Sequence, residues 1–125
     1  MSQTSALVLF AHGARAASWA LPFQRLQTML RDQLPDTVIE LAFLELMEPR
    51  LPDVVNRLVT QGCSQISVVP VFFGQGSHVV RDLPLMVDEL RSAHPSVQLS
   101  VAAAVGESPA VLEAIAQYCR STLGH

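Results

Sequence analysis

The sequence predicts a three-layer α/β/α fold on a four-stranded parallel sheet, with a suggested strand order of 2-1-3-4. Three observations carry that reading. Short unbroken apolar runs, rather than alternating ones, mark strands buried on both faces. Each run is followed by apolar residues at helical spacing, so strands and helices alternate through the chain, which favours parallel strands joined by right-handed crossovers. At 125 residues, with 50% of them apolar, the chain has the size of one domain around one core, spanning residues 1–125.

The first strand is read at residues 6–11 (ALVLFA), ending on His12 and Gly13. A helix follows over about residues 17–34, with Phe23, Leu26, Leu30 and Leu34 on one stripe, Ser18 as a cap and Pro22 in the first turn. Residues 37–43 (TVIELAF), rich in β-branched side chains, give the second strand. Leu51, Val54, Val55, Leu58 and Val59 recur at helical spacing, and Gly62 stops that helix. The third strand is residues 65–71, running into a glycine-containing loop that ends at His78. Leu83, Val87 and Leu90 define the third helix, interrupted near its start by Pro84. Residues 97–101 form the last strand, and Leu112, Ile115, Ala116 and Cys119 a last helix capped by Ser108 and Pro109.

Composition removes several function classes. Net charge is −3, no stretch gathers positive charge, and all 8 basic residues are arginine, so a nucleic-acid or anionic-membrane footprint is missing. The longest apolar stretches fall short of a membrane span, and no basic residue precedes the first apolar run as in a secretory signal, so a cytoplasmic protein is expected. Cys63 and Cys119 form no C-x-x-C pair and read as small buried hydrophobes. The apolar richness leaves surface to cover, which suggests a homo-oligomer.

In a sheet of this order, ligands bind beyond the carboxyl ends of strands one and three, where strand order reverses. His12 follows the first of these strands and His78 the second, so both histidines face one cleft. Two neutral imidazoles can bind a borderline divalent metal such as Co²⁺, Ni²⁺, Fe²⁺ or Zn²⁺, and can equally take up protons. Glu45 and Glu48 follow strand two and offer a carboxylate. Arg15, Arg50 and Arg81 are placed to rim the cleft and hold anionic groups. His94 precedes a proline at a helix end and His125 is the last residue, so neither is taken as a ligand. No nucleotide or dinucleotide phosphate loop and no G-x-S-x-G elbow occurs. A phosphohistidine phosphatase places arginine before its histidine, where Ala11 stands here.

Four segments together carry a family resemblance: residues 9–15 (LFAHGAR), 43–49 (FLELMEP), 69–84 (VPVFFGQGSHVVRDLP) and 105–109 (VGESP). They resemble the small CbiX-type sirohydrochlorin chelatases over nearly the whole chain. The resemblance implies a homodimeric class II chelatase that inserts a divalent metal, usually Co²⁺ and in relatives Ni²⁺ or Fe²⁺, into sirohydrochlorin. It carries the family's metal-site histidines onto His12 and His78, and a carboxylate role onto Glu45. The carboxylates of the tetrapyrrole give Arg15, Arg50 and Arg81, with Gly76 and Ser77 of the loop, a use as its binding set. Leu44, Leu46, Phe72 and Phe73 are candidates to line its faces. The metal is a substrate, and no organic cofactor is expected. Two departures stand out: Ala14 where the family motif has serine, and Ser108 where it often has histidine. They leave a non-catalytic metal- or tetrapyrrole-binding module as the alternative.

Overall fold

The computed structural model describes residues 4–74 and 77–124, with side chains described outside residues 77–80. Strands β1 (Thr4–Ala11), β2 (Val38–Phe43), β3 (Cys63–Pro70) and β4 (Gln98–Val101) pair in parallel in the order β2-β1-β3-β4. Helices α1 (Leu21–Gln33), α2 (Leu51–Thr60), α3 (Ser77–Ala93) and α4 (Pro109–Ser121) follow the strands in turn. Fold class and strand order are those the sequence predicts. Ala11 pairs with Phe43 and Phe10 with Pro70, so the carboxyl ends of the three strands lie level.

Strand alternation sorts side chains onto two faces. Ala6, Val8, Phe10, Ile66, Val68 and Leu99 point toward α2 and α3 and pack with Val54, Val55, Leu58, Leu83, Val87 and Leu90 in the main core. On the opposite face, Ala11 and Phe43 meet Ala20, Trp19 and Phe23 below α1. Trp19 lies 4.6 Å from the Phe23 ring and 6.4 Å from that of Phe43, tying the entrance of α1 to the end of β2. Leu58 is fully buried, so Leu58→Ala is expected to lower stability by about 2–5 kcal/mol, read as a lower urea midpoint at unchanged slope.

The structure corrects several local expectations. Ser18 does not cap α1; the chain first makes a 3-10 turn over Ala17–Ala20, and Ala20 stands at the cap position with no side-chain hydrogen bond. Packing Ala20 and Trp19 against Phe43 wins over a polar cap. The third helix begins at Ser77, and Pro84 lies inside it rather than near its start. Proline there removes one backbone hydrogen bond, which burial of Leu83, Val87 and Leu90 offsets. His78 therefore sits in the first turn of α3, not in a loop. Cys63 is buried, and that burial, with the nearby charge of Glu40, pushes its thiol above the ordinary range; Cys119 is exposed, against expectation. It is exposed because α4 buries none of its residues. Among the described residues no helix is long and apolar enough to cross a membrane.

Candidate functional site

The first chemistry-bearing contact is built by the sheet register. Because Ala11 pairs with Phe43, the chains leaving β1 and β2 stay side by side past the strand ends. The Leu44 N–H donates to the Ala11 carbonyl at 2.9 Å, and the Glu45 N–H to the His12 carbonyl at 3.1 Å. This two-rung extension brings the His12 and Glu45 side chains together, with Nε2 3.0 Å from Oε1. A carboxylate only accepts, so Nε2 carries the hydrogen and Nδ1 the lone pair of the neutral ring, an assignment made from the hydrogen bond. Both side chains are 42% exposed, open to an incoming ligand yet held by their backbone.

Gly13 makes that approach sterically possible. It is buried, with φ +103°, and a Cβ there would overlap the carbonyl oxygen of Glu45. A larger residue would wedge the two loops apart at the point where His12 meets Glu45. Across the turn, Leu46 adopts φ 68° and is exposed, a strained backbone that directs an apolar side chain outward beside Glu45. Sequence reasoning took Gly13 only as a strand-end marker. Its position directly after a strand-end histidine was the signal available.

The other expected residues divide. Arg15 follows in the same loop as His12 and is exposed. Arg50 is exposed at the N-cap of α2 and is bridged to Phe43, which keeps it at the carboxyl end of β2. Arg81 is exposed on α3 one turn beyond His78, within 3.7 Å of Asp82. Glu48 is exposed, and Glu45 is the carboxylate that pairs with His12. Ser77 and His78 occupy the start of α3 with their side chains outside the described residues, and Gly76 and His125 lie outside them altogether. His94 bonds Asn56 Oδ1 at 2.7 Å, away from this edge.

Of the apolar candidates, Leu46 and Phe73 are exposed, whereas Leu44 is buried in the core and does not line an open face. Phe72 packs edge-on against Phe10 at 6.3 Å and belongs largely to that core. Both point inward because they continue the register of strands whose alternate residues form it. Among the described residues no three histidine, cysteine, aspartate or glutamate side chains converge to cage an ion.

Fold and site together define a doubly wound α/β protein with a histidine–carboxylate pair and flanking arginines on the carboxyl edge of its sheet. Residues 6–122 match the CbiX family model, and the chain belongs to the CbiX family. It is 32% identical over 89 residues to a sirohydrochlorin cobaltochelatase of Methanocaldococcus jannaschii, covering 71% of this chain and 62% of that protein. The chain thus spans less than two thirds of that relative. It is 25% identical over 117 residues to a sirohydrochlorin cobaltochelatase of Sulfolobus acidocaldarius, covering 94% of this chain and 91% of the other. In structure it superposes on a CbiX protein ascribed to cobalamin (vitamin B12) biosynthesis in Marinobacter aquaeolei VT8, with TM-score 0.83 and 32% identity, covering 96% of this chain and 98% of that one.

Proposed function

We propose that this chain is a class II chelatase that inserts a divalent metal, Co²⁺ first and Ni²⁺ or Fe²⁺ as close alternatives, into sirohydrochlorin. The observation that carries the proposal is the His12–Glu45 pair, open to solvent at the strand edge where a parallel sheet of this order binds ligands. The relatives named sirohydrochlorin cobaltochelatases support the substrate class.

Insertion exchanges two pyrrole N–H protons for one dication, so the site must offer a ligand that releases the metal and a base that accepts protons. His12 and His78 supply imidazole nitrogens, soft enough for these metals and too few to trap them. Glu45, bonded to His12, orients the ring and stabilises a proton taken up by it, as carboxylates do behind metal-binding histidines. Arg15, Arg50 and Arg81, with Gly76 and Ser77, receive the carboxylates of the macrocycle, where the planar guanidinium suits two-point recognition. Exposed Leu46 and Phe73 offer apolar contact to its face. The protein works in the cytoplasm as a homodimer, with the metal as substrate and no organic cofactor.

The test is absorbance of the tetrapyrrole during incubation with Co²⁺. Wild type is expected to accelerate insertion above the spontaneous rate and His78→Ala to remove the acceleration. No acceleration with Co²⁺, Ni²⁺ or Fe²⁺ refutes the enzyme reading, and tight binding without turnover points to a binding module. Glu45→Gln keeps a hydrogen-bonding side chain but removes the charge, and is expected to slow insertion about 10–100-fold.

A further inference from the structure

Residues 105–109 carry part of the family resemblance, yet none of them holds metal or proton in the proposed chemistry. Their place at the carboxyl edge of the sheet is set by backbone. Past the strand ends the pairing runs on: the Val71 N–H donates to the Phe10 carbonyl at 2.8 Å, the Ala102 N–H to the Val68 carbonyl at 2.9 Å, and the Gly106 N–H to the Phe72 carbonyl at 3.2 Å. The chain leaving β3 is thus tied on one side to β1 and on the other to a 3-10 turn, Val105–Glu107, that follows β4. Phe72 sends its ring into the core, 6.3 Å from that of Phe10, whereas Phe73 stands 62% exposed. An exposed phenylalanine held by its backbone on this edge is placed to meet a ligand.

Gly106 makes the tie possible by having no side chain. A Cβ there would overlap the Cα, carbonyl carbon and carbonyl oxygen of Phe73, all of them backbone atoms. Gly106 lies outside the left-handed region, unlike Gly13, so alanine meets no conformational penalty there and only the overlap remains. Relief requires the turn or the loop to move. The turn is anchored: Ala104 is buried, its carbonyl accepts the Glu107 N–H at 2.9 Å, and the Val105 carbonyl accepts the Ser108 N–H at 3.1 Å. Phe73 and Gly74 are exposed, so the loop gives way, by about an ångström if ordinary carbon contact is to be restored.

We infer that Gly106 is a positioning residue for the tetrapyrrole: the Val105–Glu107 turn fixes where Phe73 stands, and the Phe73 ring meets the apolar face of the macrocycle. The inference rests on the chelatase reading and gives a use to a segment that the metal chemistry leaves idle. It also divides the site. Gly13 lets the Glu45 backbone lie against the His12 loop, and Gly106 lets the Phe73 backbone lie against the turn after β4. The histidine–carboxylate side and the macrocycle side are therefore braced by separate glycines. Damage at Gly106 weakens the hold on the tetrapyrrole and leaves the hold on the metal intact.

Two equilibrium titrations test this, one with metal-free sirohydrochlorin followed by absorbance and one with Co²⁺ alone followed by calorimetry. Gly106→Ala, folded by circular dichroism, is expected to bind sirohydrochlorin about tenfold more weakly and Co²⁺ as wild type does; a misplacement of about an ångström suffices for a change of that size. Phe73→Ala is expected to weaken sirohydrochlorin binding to a similar degree. The double variant should bind no more weakly than the weaker single one, because Gly106 acts through Phe73. If Gly106→Ala does not fold, the wild type decides: the Gly106 and Phe73 amide resonances shift when sirohydrochlorin is added, while that of Gly62, at the opposite end of β3, stays in place. A wild type that binds no sirohydrochlorin overturns the chelatase reading and this inference together. A wild type that binds it while Gly106→Ala binds equally well, loses Co²⁺ in parallel or multiplies the effect of Phe73→Ala overturns the positioning role alone, as does an unmoved Gly106 resonance.

Discussion

His12→Ala is expected to bring cobalt insertion down to the spontaneous rate, a loss of about 10²–10⁴-fold, the range spanned by a positioned proton acceptor. The side chain is partly exposed and its backbone, not its ring, carries the Leu44 and Glu45 rungs, so the variant should fold with an unfolding midpoint close to wild type. A parallel Glu45→Gln measurement separates the roles. If His12 takes the proton and Glu45 only supports it, Glu45→Gln keeps part of the rate while His12→Ala keeps none. Equal residual rates in the two would instead make the pair act as a single unit.

Gly13→Ala is expected to damage both fold and site. Holding alanine at the φ of +103° costs about 1–3 kcal/mol, and the new Cβ also meets the Glu45 carbonyl oxygen, a backbone atom with no flexible end to move aside. Gly62→Ala provides the comparison, because Gly62 has φ +94° with nothing near its Cβ position. Urea unfolding of both separates the conformational cost, shared by the two, from the overlap confined to Gly13. Gly13→Ala is further expected to lose most insertion activity at temperatures where it remains folded, whereas Gly62→Ala retains it. Full activity in folded Gly13→Ala would remove the role given to the close approach of the two loops.

Particular residues explain what could be read in the sequence. Residues 6–11 are apolar without alternation because β1 lies between two neighbours and under helices on both faces, so burial wrote its position directly. Strict alternation of strands and helices then gave the class, and crossover handedness limited the order. The His12–Glu45 contact was beyond reach, because it depends on pairing Ala11 with Phe43 across 32 residues of chain, and no local pattern encodes register. Pro84 misled the reading of α3, since its local penalty is visible in the sequence and the distant packing of Leu83 and Val87 is not. The stripe on α4 was read correctly as apolar. What it covers depends on a surface outside the helix, which periodicity does not specify.

The most direct test of metal handover is a single-turnover transfer. Protein loaded with one equivalent of Co²⁺ is mixed with sirohydrochlorin in the presence of a weak chelator that captures free cobalt, and the cobalt–tetrapyrrole absorbance is followed. Transfer is expected to outpace the reaction of free Co²⁺ and to resist the chelator in wild type, and to do neither in His12→Ala or His78→Ala. Transfer no faster than from free cobalt, or fully suppressed by the chelator, would contradict a site in which His12 and His78 pass the metal directly to the macrocycle.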